Sequence, residues 1–428
     1  MRAESVETVI IGGGQAGLTL SHMLSKRHRP HIVLERARIA ERWRSERWDG
    51  LRFQFPNWSV QLPDFPFPHA DPDGFATSEE IVDFLAAYAD FIAAPVRCGV
   101  TVTALRRGDV GAGFDLETSD GAVRADNVVV ATGPYQVPVV PALLPDDAGL
   151  YQVHASRYRE PAQLPGGAVL VVGSGASGAQ IAEELMRAGR RVYLSVGRHR
   201  RMPRRYRGRD LTGWLTAMGL DRTPVEMRGP DKTLPLITGA YGGHTIDFRD
   251  LAAQGAVLLG RLESMSAGTL HFARDLADSL RSGDAAYSAF LDLVDGFVTR
   301  QGLDVPEEPD ARTLRADPAC VADPVRHLEL DAAGIGSVIW STGYGCDFGW
   351  IDLPVLDGRG EPVHREGITD VPGLYFLGLQ WLSRMNSSFL VGVAEDAARL
   401  ADHIAARSSA PRLSNSHIST DACAEPKR

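Results

Sequence analysis

The hydrophobic pattern of the chain repeats one arrangement twice. Residues 8–11 are a β-branched apolar run that breaks into a glycine-rich turn, and apolar residues then recur at helical spacing over 16–24. Residues 168–172 form a second apolar run, followed again by glycines and by a helical pattern over 179–185. Each stretch therefore predicts a strand, a tight turn and a helix.

The first turn has the spacing of a dinucleotide-binding site. Gly12 allows the tight turn, Gly14 lets a pyrophosphate approach the backbone, and Gly17 lets the helix pack closely on the strand. The N–H groups at the helix start can then hold phosphates. A second strand, 31–34, leads to Glu35, 23 residues after Gly12, where a carboxylate can bind adenosine ribose hydroxyls. The structural alternative is a glycine turn beside a surface Glu, but the strand–turn–helix context favours FAD or NAD(H).

The second turn carries Gly173, Gly175 and Gly178 at the same spacing, but no acid follows it. Ser195 stands 22 residues after Gly173, and Arg198 follows closely. A carboxylate at this place would repel a 2′-phosphate, whereas serine and arginine can bind one through charge-assisted hydrogen bonds. The second site is therefore predicted to bind NADP(H). Two dinucleotide sites in one chain suggest a flavoprotein that a nicotinamide reduces.

Further candidate contacts are expected from their places in the chain. The density of Trp, Phe and Arg over 36–58 suits a loop that wraps a planar cofactor, although a packed aromatic corner would have the same composition. Apolar strands at 127–130 and 337–340 each end in a Thr-Gly turn, and we expect these two turns to be crossings between domains. The additional cofactor-binding candidates are Gln15, Ala16, Arg36, Arg42, Trp43, Ala131, Thr132, Gly133, Ser177, Thr342, Gly343 and Gln380.

These elements predict an α/β fold with two Rossmann-like dinucleotide-binding domains. The FAD domain is expected to be discontinuous, with 1–160 as its first part and 331–407 as its second. The NADP domain, 161–330, would be inserted between them, and its stretch 203–300 would be a lid, a substrate wall or fold filler. Residues 408–428 are rich in Ser and Ala without periodicity, so we expect a disordered tail.

Composition and charge argue against several classes of protein. The 428 residues are 44% hydrophobic and 23% charged, as in a soluble globular protein, and the net charge of −9 disfavours general nucleic-acid binding. The six residues before the first strand leave no room for a secretory signal. No apolar run approaches the roughly 20 residues of a membrane helix. We therefore expect a cytoplasmic protein without a membrane or nucleic-acid partner, with a homodimer as one option.

The four cysteines are too far apart in sequence to suggest a redox pair. Cys98, Cys320, Cys346 and Cys423 contain no CxxC spacing, and the closest two are 26 positions apart. Flavin disulfide reductases share the two-Rossmann plan but need a redox pair of cysteines, so the sequence argues against that branch. The same spacing gives no zinc-like pairing, and no metal site is expected.

Taken together, these motifs resemble the class B flavin-dependent monooxygenases over roughly residues 6–407. This group includes flavin-containing monooxygenases, plant auxin-forming monooxygenases and Baeyer–Villiger monooxygenases. Residues 63–68, Pro-Asp-Phe-Pro-Phe-Pro, are preceded by Asn57 and are similar to the Pro-Asp-Phe-Pro segment of flavin-containing monooxygenases. By this resemblance Asn57 would lie near the flavin and its oxygen adduct.

The family fingerprint that precedes the second glycine turn is matched in part. Gly149, His154 and Tyr158 resemble it, but Asp147 replaces its Phe and the His lies one residue late. Tyr158 is followed by Arg159, which departs from the Baeyer–Villiger form of the fingerprint. His154 would be a linker at the domain interface or a structural histidine.

The resemblance implies an enzyme that uses FAD and NADPH. NADPH would reduce FAD, O₂ would form a C4a-(hydro)peroxyflavin, and retained NADP⁺ would shield it until a small organic substrate arrives. Asn57 is then the catalytic candidate. The alternatives are a flavin NAD(P)H oxidase or reductase without oxygen insertion, a Baeyer–Villiger monooxygenase acting on ketones, and a non-catalytic flavoprotein.

Overall fold

A computed structural model describes residues 4–108, 113–145, 148–229 and 233–409. It shows a mixed α/β fold built on two principal sheets. Asp147 and residues 410–428, which make up most of the predicted tail, lie outside the described residues. Within the described ranges no helix has the length and apolar character required to cross a membrane.

The first sheet surrounds the amino-terminal strand Glu4–Ile11. That strand pairs in parallel with its neighbours on both sides, and Leu374–Phe376 returns from the end of the chain to pair in parallel with Gly121–Val130. Antiparallel strands extend the other edge. The strands lie in the order Val96–Cys98, His31–Glu35, Glu4–Ile11, Gly121–Val130, Phe114–Thr118 and Val102–Arg107.

The second sheet is entirely parallel and places the second glycine turn at its centre. Ala168–Val172, the strand before that turn, lies between Ile335–Trp340 and Val192–Ser195. A three-stranded antiparallel sheet follows along the chain, formed by Leu262–Ser266, Thr269–Phe272 and His327–Glu329. The complete order of the parallel sheet is Tyr151–His154, Ile335–Trp340, Ala168–Val172, Val192–Ser195 and Val257–Leu259.

Two strands lie on the other side of the domain boundaries that we expected from the sequence. Tyr151–His154 falls within 1–160 and Ile335–Trp340 within 331–407, yet the two strands pair with each other in the second sheet. The boundaries at 160 and 331 therefore need correction, because backbone pairing assigns both strands to the sheet of the second turn. The first sheet ends before residue 151 and resumes after the Thr-Gly turn at 342–343.

Two of the helices show a boundary at a signal that the sequence carries. Ser78–Phe91 starts at a capping box, in which the Thr77 hydroxyl accepts from Glu80 N–H at 3.0 Å while the Glu80 carboxylate accepts from Thr77 N–H at 2.7 Å. Leu276–Gln301 ends at Gly302, whose φ of 61° is left-handed. The helices are Gln15–Lys26, Glu41–Ser45, Ser78–Phe91, Ala176–Arg187, Leu211–Ala217, Phe248–Ala253, Leu276–Gln301, Ala319–Ala322, Leu330–Ala333 and Val393–Ser409.

The stretch 203–300 builds a small core of its own beside the second sheet. Trp214 is fully buried there and donates its indole N–H to the Tyr206 carbonyl at 2.8 Å. The long helix Leu276–Gln301 packs against it through Tyr287, Phe290 and neighbouring apolar residues. The described residues of this stretch, 203–229 and 233–300, therefore form an integral part of the fold.

Candidate cofactor site

The first glycine turn excludes side chains at two positions and leaves a third one open. Gly12 has a φ of 117°, and a Cβ there would lie 2.5 Å from the Ala131 carbonyl oxygen. A Cβ at Gly17 would lie 2.0 Å from the Gly12 carbonyl oxygen. A Cβ at Gly14 would meet nothing within 4 Å. Gly12 and Gly17 thus pack closely against other backbone atoms, whereas the backbone at Gly14 has open space beside it. A pyrophosphate requires such an open backbone.

The second glycine turn repeats this geometry almost atom for atom. Gly173 has a φ of 107°, and its Cβ would lie 2.5 Å from the Ser341 carbonyl oxygen. A Cβ at Gly178 would lie 1.9 Å from the Gly173 carbonyl oxygen, and Gly175 has open space around it. Ser177 lies in the first turn of the helix that follows. Both turns therefore suit a dinucleotide.

Glu35 is fixed beside the first turn by backbone donors. Its Oε2 accepts from Gly13 N–H at 2.7 Å, and its Oε1 accepts from Ala37 N–H at 3.0 Å. The side chain is half-buried, so each oxygen retains acceptor capacity on its outer side. This arrangement suits a carboxylate that binds ribose hydroxyls. Arg36, the next candidate, has an exposed side chain.

The expectation that Ser195 binds a 2′-phosphate needs correction. Ser195 is 2% exposed, and its hydroxyl donates to the Gly260 carbonyl at 3.0 Å. The same oxygen accepts from Leu262 N–H at 3.0 Å. Both bonds lie inside the fold. The hydroxyl therefore holds the end of the strand Val192–Ser195 against the segment that follows the neighbouring strand, Val257–Leu259.

Arg198 follows Gly197, a residue that is hydrogen-bonded to the second glycine turn. Gly197 N–H donates to the Ser174 hydroxyl at 3.0 Å, and that hydroxyl donates to the Gly197 carbonyl at 3.1 Å. The Arg198 side chain is exposed. Ser174 was not among the sequence candidates, although its place inside the glycine turn is the signal that identifies it.

Gln136, which was not among the sequence candidates, connects the first Thr-Gly turn to the segment that follows the second one. Its side-chain amide donates to the Thr132 hydroxyl at 2.9 Å and to the Gly133 carbonyl at 2.8 Å. Its side-chain oxygen accepts from Asp347 N–H at 2.8 Å. Arg42 donates to the Gln136 backbone carbonyl at 3.1 Å, which brings one predicted contact to this junction.

The second Thr-Gly turn is held from two sides. The Thr342 hydroxyl donates to the Val139 carbonyl. The Nε2 of His154 lies 3.1 Å from the Gly343 carbonyl, and its Nδ1 accepts from Ser156 N–H at 3.1 Å. Burial lowers the pKa of the His154 ring, so the neutral ring that donates from Nε2 is favoured. His154 is therefore a hydrogen-bonded structural histidine that holds the second Thr-Gly turn.

The aromatic stretch forms a continuous row of rings beside the first turn. The ring centroids are separated by 5.7 Å between Trp43 and Phe53, 5.6 Å between Phe53 and Phe55, and 4.9 Å between Phe55 and Phe389. Next to Phe389, the Ser388 carbonyl accepts from the Gln15 side chain at 2.6 Å. The row is thus a packed aromatic corner that borders the first helix.

Gln380 and its neighbours close the other side of this helix start. A Cβ at Gly378 would lie 2.6 Å from the Ala16 methyl carbon, so the two segments are in close contact. The Gln380 side chain donates to the Tyr135 hydroxyl at 3.1 Å. Trp381 has a φ of 56°, which is unusual outside glycine. Gln15, Ala16 and Gln380 are therefore brought together around one loop.

Asn57 uses its donors within its own loop. Its N–H donates to the Gly74 carbonyl at 2.9 Å, and its side-chain amide donates to the Asp71 carbonyl at 2.9 Å. The Oδ1 is buried and has no hydrogen-bond partner among the residues that the structure describes. The Asp71 carbonyl uses one of the two side-chain N–H donors, so the structure presents Asn57 as a residue that positions 71–74. Its predicted catalytic role stays a prediction.

A cavity of about 420 Å³ lies against this loop. One side comes from the segments around Gly50, which lies between Trp43 and Phe53 in sequence, and around Gly74. The other side comes from residues 239–242, which belong to the stretch after the second turn. The cavity therefore lies where chain segments associated with the two turns meet, a common place for a ligand. Its lining residues are Gly50, Arg52, Gly74, Phe75, Gly239, Ala240, Tyr241 and Gly242.

Comparisons of the sequence identify related proteins over nearly the whole chain. Residues 9–222 match the pyridine nucleotide-disulphide oxidoreductase family. An uncharacterized oxidoreductase, CzcO-like, of Geobacillus kaustophilus is 32% identical over 403 residues, which cover 93% of this chain and 98% of that protein. The indole-3-pyruvate monooxygenase YUCCA1 of Oryza sativa is 28% identical over 426 residues, with 92% and 90% of the two chains covered.

Solved structures show the same fold. A flavin-containing monooxygenase from Stenotrophomonas maltophilia superposes with a TM-score of 0.64 at 19% identity, covering 95% of this chain and all of that one. The structure of OTEMO in complex with FAD and NADP gives a TM-score of 0.57 at 16% identity, covering 95% and 86%.

These findings agree with the motifs described above. The two glycine turns fall inside the matched residues 9–222, and the relatives extend the likeness to most of the remaining chain. The chain therefore belongs to the pyridine nucleotide-disulphide oxidoreductase family, among the flavin-dependent oxidoreductases related to class B flavin monooxygenases.

Proposed function

We propose that this protein is an FAD-containing monooxygenase that uses NADPH and O₂ to insert one oxygen atom into a small organic substrate. The observation that carries the proposal is the pair of glycine turns. In each turn two glycines pack against backbone atoms, and a third has open space beside it. The family match, a relative named as a monooxygenase and the fold of flavin monooxygenases support it.

The two sheets are proposed to be two dinucleotide-binding domains, with the NADP domain inserted into a discontinuous FAD domain. The two Thr-Gly turns, at 132–133 and 342–343, are the crossings. Each crossing follows directly on a strand beside one of the glycine turns, and Gln136 and His154 hold the two crossings. This connectivity places the open sides of both turns at the carboxyl ends of parallel strands, where ligands bind in such folds.

The first turn and Glu35 hold FAD in this proposal. The bare backbone at Gly14 and the helix start bind the pyrophosphate, and the Glu35 carboxylate accepts from ribose hydroxyls. FAD supplies the redox chemistry with NADPH and O₂, which no side chain of the protein provides. The contribution of the chain is to bind, orient and shield it.

The second turn and Arg198 hold NADPH. Gly175 presents open backbone to the pyrophosphate. The guanidinium of Arg198 supplies positive charge for the 2′-phosphate, and the Ser174–Gly197 bonds fix the backbone beside it. Position 195 carries a serine rather than an acidic residue, so no carboxylate there repels the 2′-phosphate. This still favours NADPH over NADH.

The aromatic row and the cavity have separate roles in this proposal, the exclusion of water and the binding of the substrate. The rings from Trp43 to Phe389 exclude water beside the first turn, which protects an oxygen-reactive cofactor from the solvent. The cavity of about 420 Å³ is large enough for a small organic molecule. Asn57 keeps the Gly74 side of that cavity in place.

The proposal is tested by measuring NADPH consumption, product and hydrogen peroxide in the same reaction. Amines, sulfides, ketones and aromatic heterocycles are screened with the FAD-loaded protein, and products are identified by mass. We expect at least one substrate whose oxygenated product accounts for most of the NADPH consumed. NADPH consumption that always ends in peroxide would instead identify an oxidase, and transfer of electrons to an added acceptor without peroxide would identify a reductase.

A further inference from the structure

Arg228 lies in a segment that reaches from the stretch 203–300 to the loop beside the first turn. Val225 N–H donates to the Ser383 carbonyl at 2.9 Å, and Met385 N–H donates to the Thr223 carbonyl at 2.9 Å. These bonds hold the segment along the loop between the last strand of the first sheet and the final helix. The segment therefore borders the first cofactor site.

Trp381 belongs to this loop, and the Arg228 guanidinium lies over its ring. The Cζ of Arg228 is 5.3 Å from the ring centroid. The left-handed φ of 56° at Trp381 is an unfavourable conformation of the kind that concentrates at functional sites. Gln380, the preceding residue, is bonded to Tyr135, which follows the first Thr-Gly crossing. The stacked pair therefore lies beside the proposed flavin and the crossing.

The positive charge of Arg228 is not matched by an acid in the part of the chain that the structure describes. No ion pair joins it to a described carboxylate, and its buried Nε makes no hydrogen bond there. A partly desolvated guanidinium without an anion is unfavourable, and its planar fork fits a carboxylate. Met227, the preceding residue, is 73% exposed and offers an apolar side chain to the solvent.

We propose that Arg228, held on Trp381, binds a carboxylate on the substrate and so selects apolar carboxylic acids over their neutral analogues. Two N–H groups of the guanidinium donate to the two carboxylate oxygens, while Met227 and the Trp381 ring contact the apolar body. That the bound acid is a substrate rests on the proposed function, whereas the binding itself requires no turnover.

The test compares acids with amides of the same shape. The FAD-loaded full chain is titrated with benzoate, phenylacetate and 3-phenylpropionate, and with the corresponding amides. Binding is followed by the visible absorption of the flavin and by calorimetry. We expect the parent protein to bind at least one acid about tenfold more tightly than its amide, as one charge-assisted pair provides.

Three variants locate that preference. Arg228→Gln should abolish it, and Arg228→Lys should keep part of it because the charge remains. Arg222→Gln is the matched control, because Arg222 lies on the same segment but is 66% exposed and pairs with Glu395. This control should keep the full preference. Retained preference in Arg228→Gln, or equal loss in Arg222→Gln, would overturn the assignment.

Two further outcomes count against the proposal. If the parent binds no acid more tightly than its amide, there is no carboxylate site. If Arg228→Gln raises the KM for NADPH but not for NADH, the residue contacts the nucleotide phosphate. A parent that prefers acids but returns the consumed NADPH as hydrogen peroxide with every compound screened would refute the proposed function while leaving the carboxylate site intact, so the two failures are distinguishable.

Discussion

Two variants of the first turn, each adding one methyl group, should distinguish an effect on folding from an effect on cofactor binding. In Gly17→Ala the new Cβ would lie 2.0 Å from the Gly12 carbonyl oxygen and 3.3 Å from an Ile10 methyl carbon. In Gly14→Ala it would meet no atom of the described residues within 4 Å. Only the first variant therefore strains the protein itself, whereas the second fills the space proposed for the pyrophosphate.

The structure sets the size of both effects. Ordinary van der Waals contact begins at 3.4 Å, so the Gly17→Ala methyl lies 1.4 Å too close, the difference between 3.4 and 2.0 Å. Overpacking of this kind costs about 1–3 kcal/mol of unfolding free energy. Gly14 has an extended φ of −90° that alanine adopts easily, so its apoprotein should lose at most about 1 kcal/mol as the N-cap changes. Displacing the phosphates should weaken FAD binding about tenfold to a hundredfold.

The assay measures urea unfolding of the apoprotein and the Kd for FAD in the same preparations. Gly14→Ala should unfold as the parent does but bind FAD weakly, and Gly17→Ala should unfold at lower urea. Gly175→Ala is the matched variant of the second turn, and it should retain FAD while raising the KM for NADPH. Normal FAD affinity in Gly14→Ala, or a loss of apoprotein stability equal to that of Gly17→Ala, would refute this account of the turn.

Three further predictions concern charge and hydrogen bonding. Arg198→Ala should raise the KM for NADPH about tenfold to a hundredfold and leave that for NADH nearly unchanged, and equal losses would exclude a phosphate contact. Asn57→Asp should increase the peroxide released per NADPH with FAD retained, because the Asp71 carbonyl loses its donor and the cavity wall loosens, whereas an unaltered ratio would remove Asn57 from the site. A hydrogen bond from His244 to Glu183 raises the pKa of the His244 ring, so its stabilisation is complete below the ordinary histidine pKa and is lost as the pH rises through the raised value. Urea unfolding of His244→Gln should therefore show a larger loss at about pH 6 than at about pH 9, and an equal loss at both would contradict the pairing.

The glycine turns could be predicted because their chemistry is local. Gly12 and Gly173 require a left-handed φ, and Gly17 and Gly178 require the absence of a side chain, so few other residues fit. Glu35 could also be placed, since it ends the strand that follows the first helix. Spacing along one strand–turn–helix–strand unit determines all of these positions.

Contacts between distant parts of the chain could not be predicted in this way. The count of 22 residues located Ser195 at a strand end but not the direction of its hydroxyl, which is set by Gly260 and Leu262. Likewise the sequence predicts that the strand Ile335–Trp340 belongs to the first domain, because its pairing partner, Tyr151–His154, lies far away in sequence. Such pairings depend on tertiary packing, which periodicity does not encode.

Arg228 shows the same limit at the proposed carboxylate site. Its sequence neighbourhood has no motif, and the residue gains meaning only because its guanidinium lies over Trp381, more than 150 positions later. The bonds that bring the two segments together join backbone groups, which any residue type supplies. Composition therefore gave no signal for this pair.

The central claim is that oxygen from O₂ enters an organic product at the expense of NADPH. The most direct test is turnover under isotopically labelled dioxygen, with the FAD-loaded protein, NADPH and a substrate found in the screen. We expect the product to gain one labelled oxygen atom, and the amounts of labelled product and of NADPH consumed to be nearly equal. Product without label, or label found only in hydrogen peroxide and water while NADPH is consumed, would contradict it.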